Sequence, residues 1–204
     1  LLTIHAAPLV VPLGGREPLA DGAVAVDGDR ITAVGPFGEV AAKWPAARVR
    51  RWPGALTPGL VNRYGPELLE GAYHPDPREA GELGTEPLTG AAFAALDLTD
   101  ARWGASARRG LQRMLRHGAT AVAGPFARAT VRLAVARSGL TVVARGEEPE
   151  GRPALDPLDP AALEQAAAGV LAPGARADLA AFAEVVPGAC VATVLGGRLA
   201  FRRV

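Results

Sequence analysis

Histidine is scarce in this chain, which carries His5, His74 and His117 together with a single cysteine, Cys190. Of these, His74 has the company that chemistry needs. Tyr73-His74-Pro75-Asp76 lies in a stretch that also holds Glu67, Glu70 and Glu79, and imidazole with carboxylates is a zinc-binding set. A metal site of His74, Asp76 and one Glu is chemically possible; the simpler reading is a solvated acidic loop. Arg63 and Tyr64 fall where a strand should end, the usual place for ligands of open α/β sheets. Arg63 can hold an anionic group, and Tyr64 can stack or donate a hydrogen bond. The competing reading is an ion pair of Arg63 with Glu67 or Glu70 beside a packed Tyr64. Arg63, Tyr64, Glu67, Glu70, His74 and Asp76 together make the candidate pocket. The remaining reactive groups read as structural. His5 sits in an apolar run. His117 closes a helix, where a partly positive imidazole suits the dipole. Cys190, within Ala189-Cys190-Val191-Ala192-Thr193-Val194, reads as a small buried hydrophobe.

The elements that must position these residues are legible from pattern. Leu2 to Val11 is an apolar extended run closed by Pro12 and Gly14-Gly15. Ala23 to Val26 and Arg30 to Gly35 flank Asp27-Gly28-Asp29, whose glycine supplies the positive φ of a tight hairpin turn. Ala47 to Trp52 reads as one more short strand. At the other end, Ala177 to Phe182 is a strand, and Val191 to Leu195 with Arg198 to Arg202 form a hairpin around Gly196-Gly197. An isolated hairpin is marginal in water, so the two ends are expected to fold together. Between them Trp103, Ala107, Leu111, Met114 and Leu115 keep helical spacing, with Gly118 stopping the helix. Thr120 to Ala123 reads as a buried strand, Phe126 to Arg137 as a helix and Leu140 to Ala144 as a second buried strand, a rhythm that implies parallel pairing. A last helix is expected from Asp159, with Pro160 at its first position and Ala161 to Gly169 following. Gly65 to Gly90 and Gly146 to Pro157 read as loops, the first with a helical piece near Glu67 to Ala72.

Composition narrows the function classes. The chain is 49% hydrophobic and 21% charged, enough for a proper core. A formal net charge of +1 gives no footprint for nucleic acid or an anionic membrane. One cysteine excludes an internal disulfide and a Cys-rich zinc site. No apolar run is long enough to span a bilayer. The first residues lack the basic start of a signal peptide, so a cytoplasmic location is expected.

Taken in order, several segments resemble the amidohydrolase superfamily, especially imidazolonepropionases and aminodeoxyfutalosine deaminases. Asp21 to Gly35 looks like the family's opening hairpin. Gly54-Ala55-Leu56-Thr57-Pro58-Gly59-Leu60-Val61-Asn62 looks like the lead into the first barrel strand. Leu111 to Val122, with Leu115-Arg116-His117-Gly118-Ala119-Thr120, looks like the helix and strand that follow. Leu171 to Leu179 is similar to the P-G-x-x-A-D-L return, with Asp178 at its Asp, and Val194 to Leu199 to the closing hairpin. The resemblance implies an α/β protein with a small composite β-sandwich built from residues 1–57 and 170–204. Residues 58–169 would be a partial, truncated β/α barrel remnant.

The departures carry the functional expectation. In the family the first barrel strand reads P-G-L/F-V/I-N/D-x-H-x-H. Here the two histidine positions are held by Tyr64 and Pro66. Proline binds no metal, and a lone tyrosine is a poor zinc ligand. A whole barrel takes about 250 residues, whereas residues 58–169 allow roughly three βα units. The family's later ligand histidines and catalytic Asp have no counterpart here. The expectation is a degenerate, non-catalytic homologue, a pseudoenzyme without cofactor that binds or assembles. Its open sheet edges predict a homodimer. Two rivals remain open: a hydrolase of non-peptide carbon–nitrogen bonds with a rebuilt or intersubunit zinc site, and a small-molecule-binding module under the Gly65–Gly90 loop.

Overall fold

The computed structural model describes residues 2–146, 151–159 and 161–203. The strands are β1 (Thr3–Val10), β2 (Leu19–Asp27), β3 (Arg30–Pro36), β4 (Arg48–Arg51), β5 (Ala55–Pro58), β6 (Leu60–Asn62), β7 (Ala119–Gly124), β8 (Thr141–Ala144), β9 (Leu179–Phe182), β10 (Cys190–Leu195) and β11 (Arg198–Arg202). The helices are α1 (Phe37–Lys43), α2 (Gly65–Leu69), α3 (Ala80–Leu83), α4 (Gly90–Ala94), α5 (Asp100–Leu115), α6 (Ala129–Ser138) and α7 (Leu163–Ala166), with a 3-10 turn at Pro77–Glu79. The chain is thus mixed α/β. It divides into two units: Leu1–Val61, Leu115–Thr120 and Asp156–Val204 form the first, Asn62–Met114 and Ala121–Leu155 the second.

The first unit is built on an eight-stranded sheet in the order β11-β10-β9-β5-β1-β2-β3, with β4 added beside β1. N-terminal and C-terminal strands meet where β5 pairs antiparallel with β9, Ala55 opposite Phe182. Alternation sorts β1 and β2 onto two faces. Ile4, Ala6, Ala23 and Ala25 face one way, covered by Val40 of α1. Ala7, Val24 and Val26 face the other and share a core with Leu179, Ala181, Ala192 and Val194. Strands from opposite ends of the sheet therefore enclose one core, which requires the sheet to curl. The hairpin tips show how closely its ends meet. A Cβ on Gly197 would lie 1.9 Å from the Gly28 carbonyl oxygen, and Gly197 has φ of 75°, so only glycine fits.

A three-stranded sheet runs β6-β7-β8, with β7 and β8 parallel from Ala121 opposite Thr141 to Gly124 opposite Ala144. In the second unit α5 buries Trp103, Ala107, Leu111 and Met114, the spacing expected of a helix with one apolar face. α6 buries Val131, Ala134 and Val135 and stops at Gly139 in the left-handed region.

Several expectations need correction. Leu140 to Ala144 is not a buried strand: β8 is largely exposed, with Val142 52% accessible, because it is outermost in its sheet. The helix expected from Phe126 starts at Ala129. The helix expected over 159–169 is the four-residue α7, since Ala167 bridges Leu60 and the Ala168 N–H donates to the Gly59 carbonyl at 2.8 Å, drawing the chain out extended. Pro160, given its first position, lies outside the described residues. In Gly65 to Gly90 the helical piece expected near Glu67 to Ala72 is α2, which starts earlier at Gly65, and the rest is not all loop but contains the 3-10 turn and α3. α1 carries no helical period in the sequence, because its seven residues bury only Val40. Of the second predicted loop, residues 147–150 lie outside the described residues.

Candidate functional site

The strand end singled out by sequence is rebuilt rather than open. β6 stops at Asn62, and Tyr64, with φ −97° and ψ 32°, is the residue that caps α2. Pro66 then occupies the first turn, where its missing N–H costs nothing. Gly65 is required for the approach: a Cβ there would fall 2.1 Å from the Ala123 carbonyl oxygen. Asn62 is fully buried and uses its whole amide. Its Nδ2 donates to the Ala154 and Leu155 carbonyls at 3.0 and 3.1 Å, and its Oδ1 accepts the Tyr64 N–H at 3.0 Å. Segment 154–155 is thereby held at the strand end, and Tyr64 is only 8% accessible. Glu67 pairs with Arg145 just past β8. Glu70 accepts the Ala127 and Arg128 N–H groups at 3.0 and 2.6 Å, serving the start of α6, which lacks a side-chain cap of its own.

His74 and Asp76 lie elsewhere in the second unit. His74 has no accessible surface. Its Nε2 donates to the Leu68 carbonyl at 2.8 Å, its backbone N–H donates to Ser106 Oγ at 2.9 Å, and Nδ1 is buried without a partner. Burial lowers its pKa from 6.5 to about 4, with Arg113 and Arg109 adding to the effect against the Leu68 hydrogen bond, so the ring is neutral at pH 7. Asp76 faces a cleft of about 340 Å³ formed with Tyr73, Glu79, Arg102 and Arg109. There Glu79 accepts from the Tyr73 hydroxyl at 2.7 Å, the Asp76 N–H at 2.8 Å and Arg102 at 3.0 Å. The Asp76 N–H and the Tyr73 hydroxyl hold the Glu79 carboxyl below the usual range. Arg109 donates through Nε to the His74 carbonyl at 2.7 Å and pairs with Asp76 at 3.3 Å. Both guanidiniums also lie near the Tyr73 ring, 5.2 and 5.7 Å from its centroid. These contacts clamp residues 73–79 onto α5.

The six sequence candidates are spread over several places: Arg63 lies exposed in the turn after β6, Tyr64 and Glu67 belong to the strand end, Glu70 to the α6 start, Asp76 to the cleft, and His74 lies buried. Glu79 was named only as one possible acid beside His74, and Arg102 and Arg109 were not singled out. Their signals were present: Asp76-Pro77-Arg78-Glu79 is a capping box, and Arg102 and Arg109, seven apart, fall on one helix face. Among the described residues no group of three His, Cys, Asp or Glu side chains could hold a metal ion.

The other reactive groups are in the first unit. His117 lies past the end of α5 with Nδ1 3.0 Å from Asp156 Oδ2, and that carboxylate also accepts the Leu158 and Gly188 N–H groups. Burial works against ionisation of Asp156, but these hydrogen bonds, led by His117, bring its pKa below normal. Asp178 pairs with Arg176 at 2.8 Å and accepts the Gly196 N–H at 2.7 Å, fastening the β10–β11 turn. Burial raises the Cys190 thiol to about 11.

Residues 22–47 match the model of the imidazolonepropionase-like composite domain of bacteria. No curated protein matches the sequence. Similar solved structures include an ochratoxinase of A. niger, 23% identical, with 70% of this chain and 31% of that one covered at a TM-score of 0.46. An adenosine deaminase from Xanthomonas campestris is 24% identical over 69% of this chain and 33% of its own, TM-score 0.49. The Helicobacter pylori aminofutalosine deaminase is 15% identical over 71% and 33%, TM-score 0.44. The chain thus spans about a third of the length of the structures it matches. Among the described residues no helix is long and apolar enough to cross a membrane.

Proposed function

From a chain that carries the imidazolonepropionase-like composite domain over residues 22–47, we propose a degenerate amidohydrolase-like protein, cytoplasmic and non-catalytic, that works by binding or assembly. The observation that carries this is the strand end. The two positions where the family pattern has metal-binding histidines hold Tyr64 and Pro66, and the polar groups around them are committed to the fold. Asn62 holds segment 154–155, Glu67 pairs with Arg145, and Glu70 serves α6. The test is metal analysis of protein purified without chelator, alongside ammonia release from aminopurine nucleosides and ring opening of imidazolones in added zinc. No metal, no ammonia and no ring opening are expected. Near-stoichiometric zinc that is lost in His74→Ala would overturn the reading in favour of a working carbon–nitrogen hydrolase.

The binding role falls on the cleft between Tyr73–Glu79 and α5, whose paired Arg102 and Arg109 and phenol suit a small polar molecule. A thermal-shift screen against the same nucleosides and imidazolones tests it. A shift abolished by Arg102→Ala supports the site, and no shift across the panel removes it. Assembly falls on β8, outermost in its sheet and exposed at Val142. An outermost strand templates pairing, and two copies of Thr141–Ala144 can pair antiparallel about a twofold. Light scattering should give a dimer that Val142→Lys dissociates; a monomer at micromolar concentration sinks the assembly reading.

A further inference from the structure

The first unit gathers positive charge that nothing above uses. β4 reads Arg48-Val49-Arg50-Arg51, and strand alternation puts Arg48 and Arg50 on the same face as Trp52. Parallel register sets Arg50 opposite His5. Beneath it the Trp52 Nε1–H donates to His5 Nδ1 at 3.1 Å, and the two rings stack with centroids 6.0 Å apart. From β11, Arg202 arrives at the same place, its guanidinium carbon 5.9 Å from the Trp52 ring centroid. Arg48 and Arg202 are exposed and Arg50 is partly buried. The three guanidiniums lie close enough to repel: burial first, then Arg48 and Arg202, lower the Arg50 pKa. Among the described residues none of the three is in an ion pair with a carboxylate.

Some arginines elsewhere are paired with carboxylates. Arg102, Arg109, Arg145 and Arg176 each have an acid. Like charges converging from two strands without one oppose folding, and an anion seated between them removes that cost. We propose that Arg48, Arg50 and Arg202 bind a phosphate-type oxyanion above Trp52, either inorganic phosphate or the phosphoryl group of a small metabolite. Three guanidinium forks match the several oxygens and the double charge of phosphate better than a single carboxylate. The buried His5–Trp52 pair fixes the floor beneath the three guanidiniums.

The test is titration calorimetry of the whole chain at low ionic strength. The probes are inorganic phosphate and phenyl phosphate, with chloride at matched ionic strength as control. Saturable binding of phosphate is expected, weakened about tenfold or more in Arg50→Gln. Arg202→Gln, at an exposed position, gives the same readout should Arg50→Gln fail to fold. Phosphate-free variants should melt no lower than the parent, because a repelling charge is gone. Tighter binding of phenyl phosphate assigns the site to a phosphorylated metabolite, and equal binding assigns it to the free anion. No heat beyond the chloride control, or affinity unchanged in both variants, overturns the proposal. The outcome is independent of the cleft and of β8, which lie in the other unit.

Discussion

Mild acid should loosen this protein through two buried histidines. His5 is held near 4 by burial and by Arg50, and His74 near 4 by burial with Arg113 and Arg109 assisting, against an ordinary value of 6.5. Above pH 6.5 both rings are neutral whether the chain is folded or not, so stability does not depend on them. Between 6.5 and about 4 the unfolded chain takes up protons that the folded one refuses, and stability falls as pH falls. The slope approaches about 1.4 kcal/mol per pH unit for each histidine, or roughly 2 kcal/mol each by pH 5. That is a large part of the roughly 5–15 kcal/mol of a normal domain. Carboxylates with lowered pKa, Glu79 and Asp156, lose stability only from the ordinary carboxylate range downward, and Asp178, raised by burial, gains stability as pH falls, so a loss between 6.5 and 5 belongs to the histidines. His5→Gln and His74→Gln remove the titration while leaving a group able to accept from Trp52 or donate to Leu68. Urea midpoints at pH 7 and pH 5 are the assay. A parent chain equally stable at both values, or variants as acid-labile as the parent, would refute the reasoning.

Three further outcomes follow from single contacts. Gly110→Ala places a Cβ 2.6 Å from His74 Nε2 and 2.7 Å from Leu69 Cδ2. Displacing the ring from Leu68 outweighs the gain in helix propensity, so the expected loss is about 2 kcal/mol by urea denaturation; a neutral result would mean the ring is not pinned. Asn62→Ala leaves the Ala154 and Leu155 carbonyls without their donor and should cost about 2–3 kcal/mol, with faster limited proteolysis near residues 151–155. Cys190, its thiol raised to about 11, should ignore a disulfide reagent at pH 8 until the chain is unfolded; rapid reaction of the native protein contradicts its burial.

What could be read from sequence divides along a physical line. The hairpins at Asp27-Gly28 and Gly196-Gly197 and the helix through Trp103, Ala107 and Leu111 were legible because a turn or a period is written in consecutive residues. The extent of α7 was not, because Ala167 and Ala168 are extended by Gly59 and Leu60, which are distant in sequence. Exposure of β8 was equally hidden, since an apolar tetrapeptide reads the same at the centre or the edge of a sheet. The partners of the candidate pocket residues were hidden for a related reason. Glu67 and Glu70 lie three residues apart, yet one reaches Arg145 and the other the backbone before α6, and neither partner is local.

The strand end also shows why histidines placed at positions 64 and 66 would not by themselves form a metal-binding pair. An H-x-H pair works because positions i and i+2 of an extended strand share a face. Here the strand stops at Asn62, and the backbone turns at Tyr64 into a helix whose first turn holds Pro66. Positions 64 and 66 therefore no longer share a strand face. The turn is held from several sides, by the Asn62 side chain on the Tyr64 N–H, by Gly65 against Ala123 and by Asn62 on residues 154 and 155. Histidines placed at 64 and 66 would sit on a helix start and point apart. The difference from the pattern P-G-L/F-V/I-N/D-x-H-x-H is thus one of backbone path as well as side-chain identity.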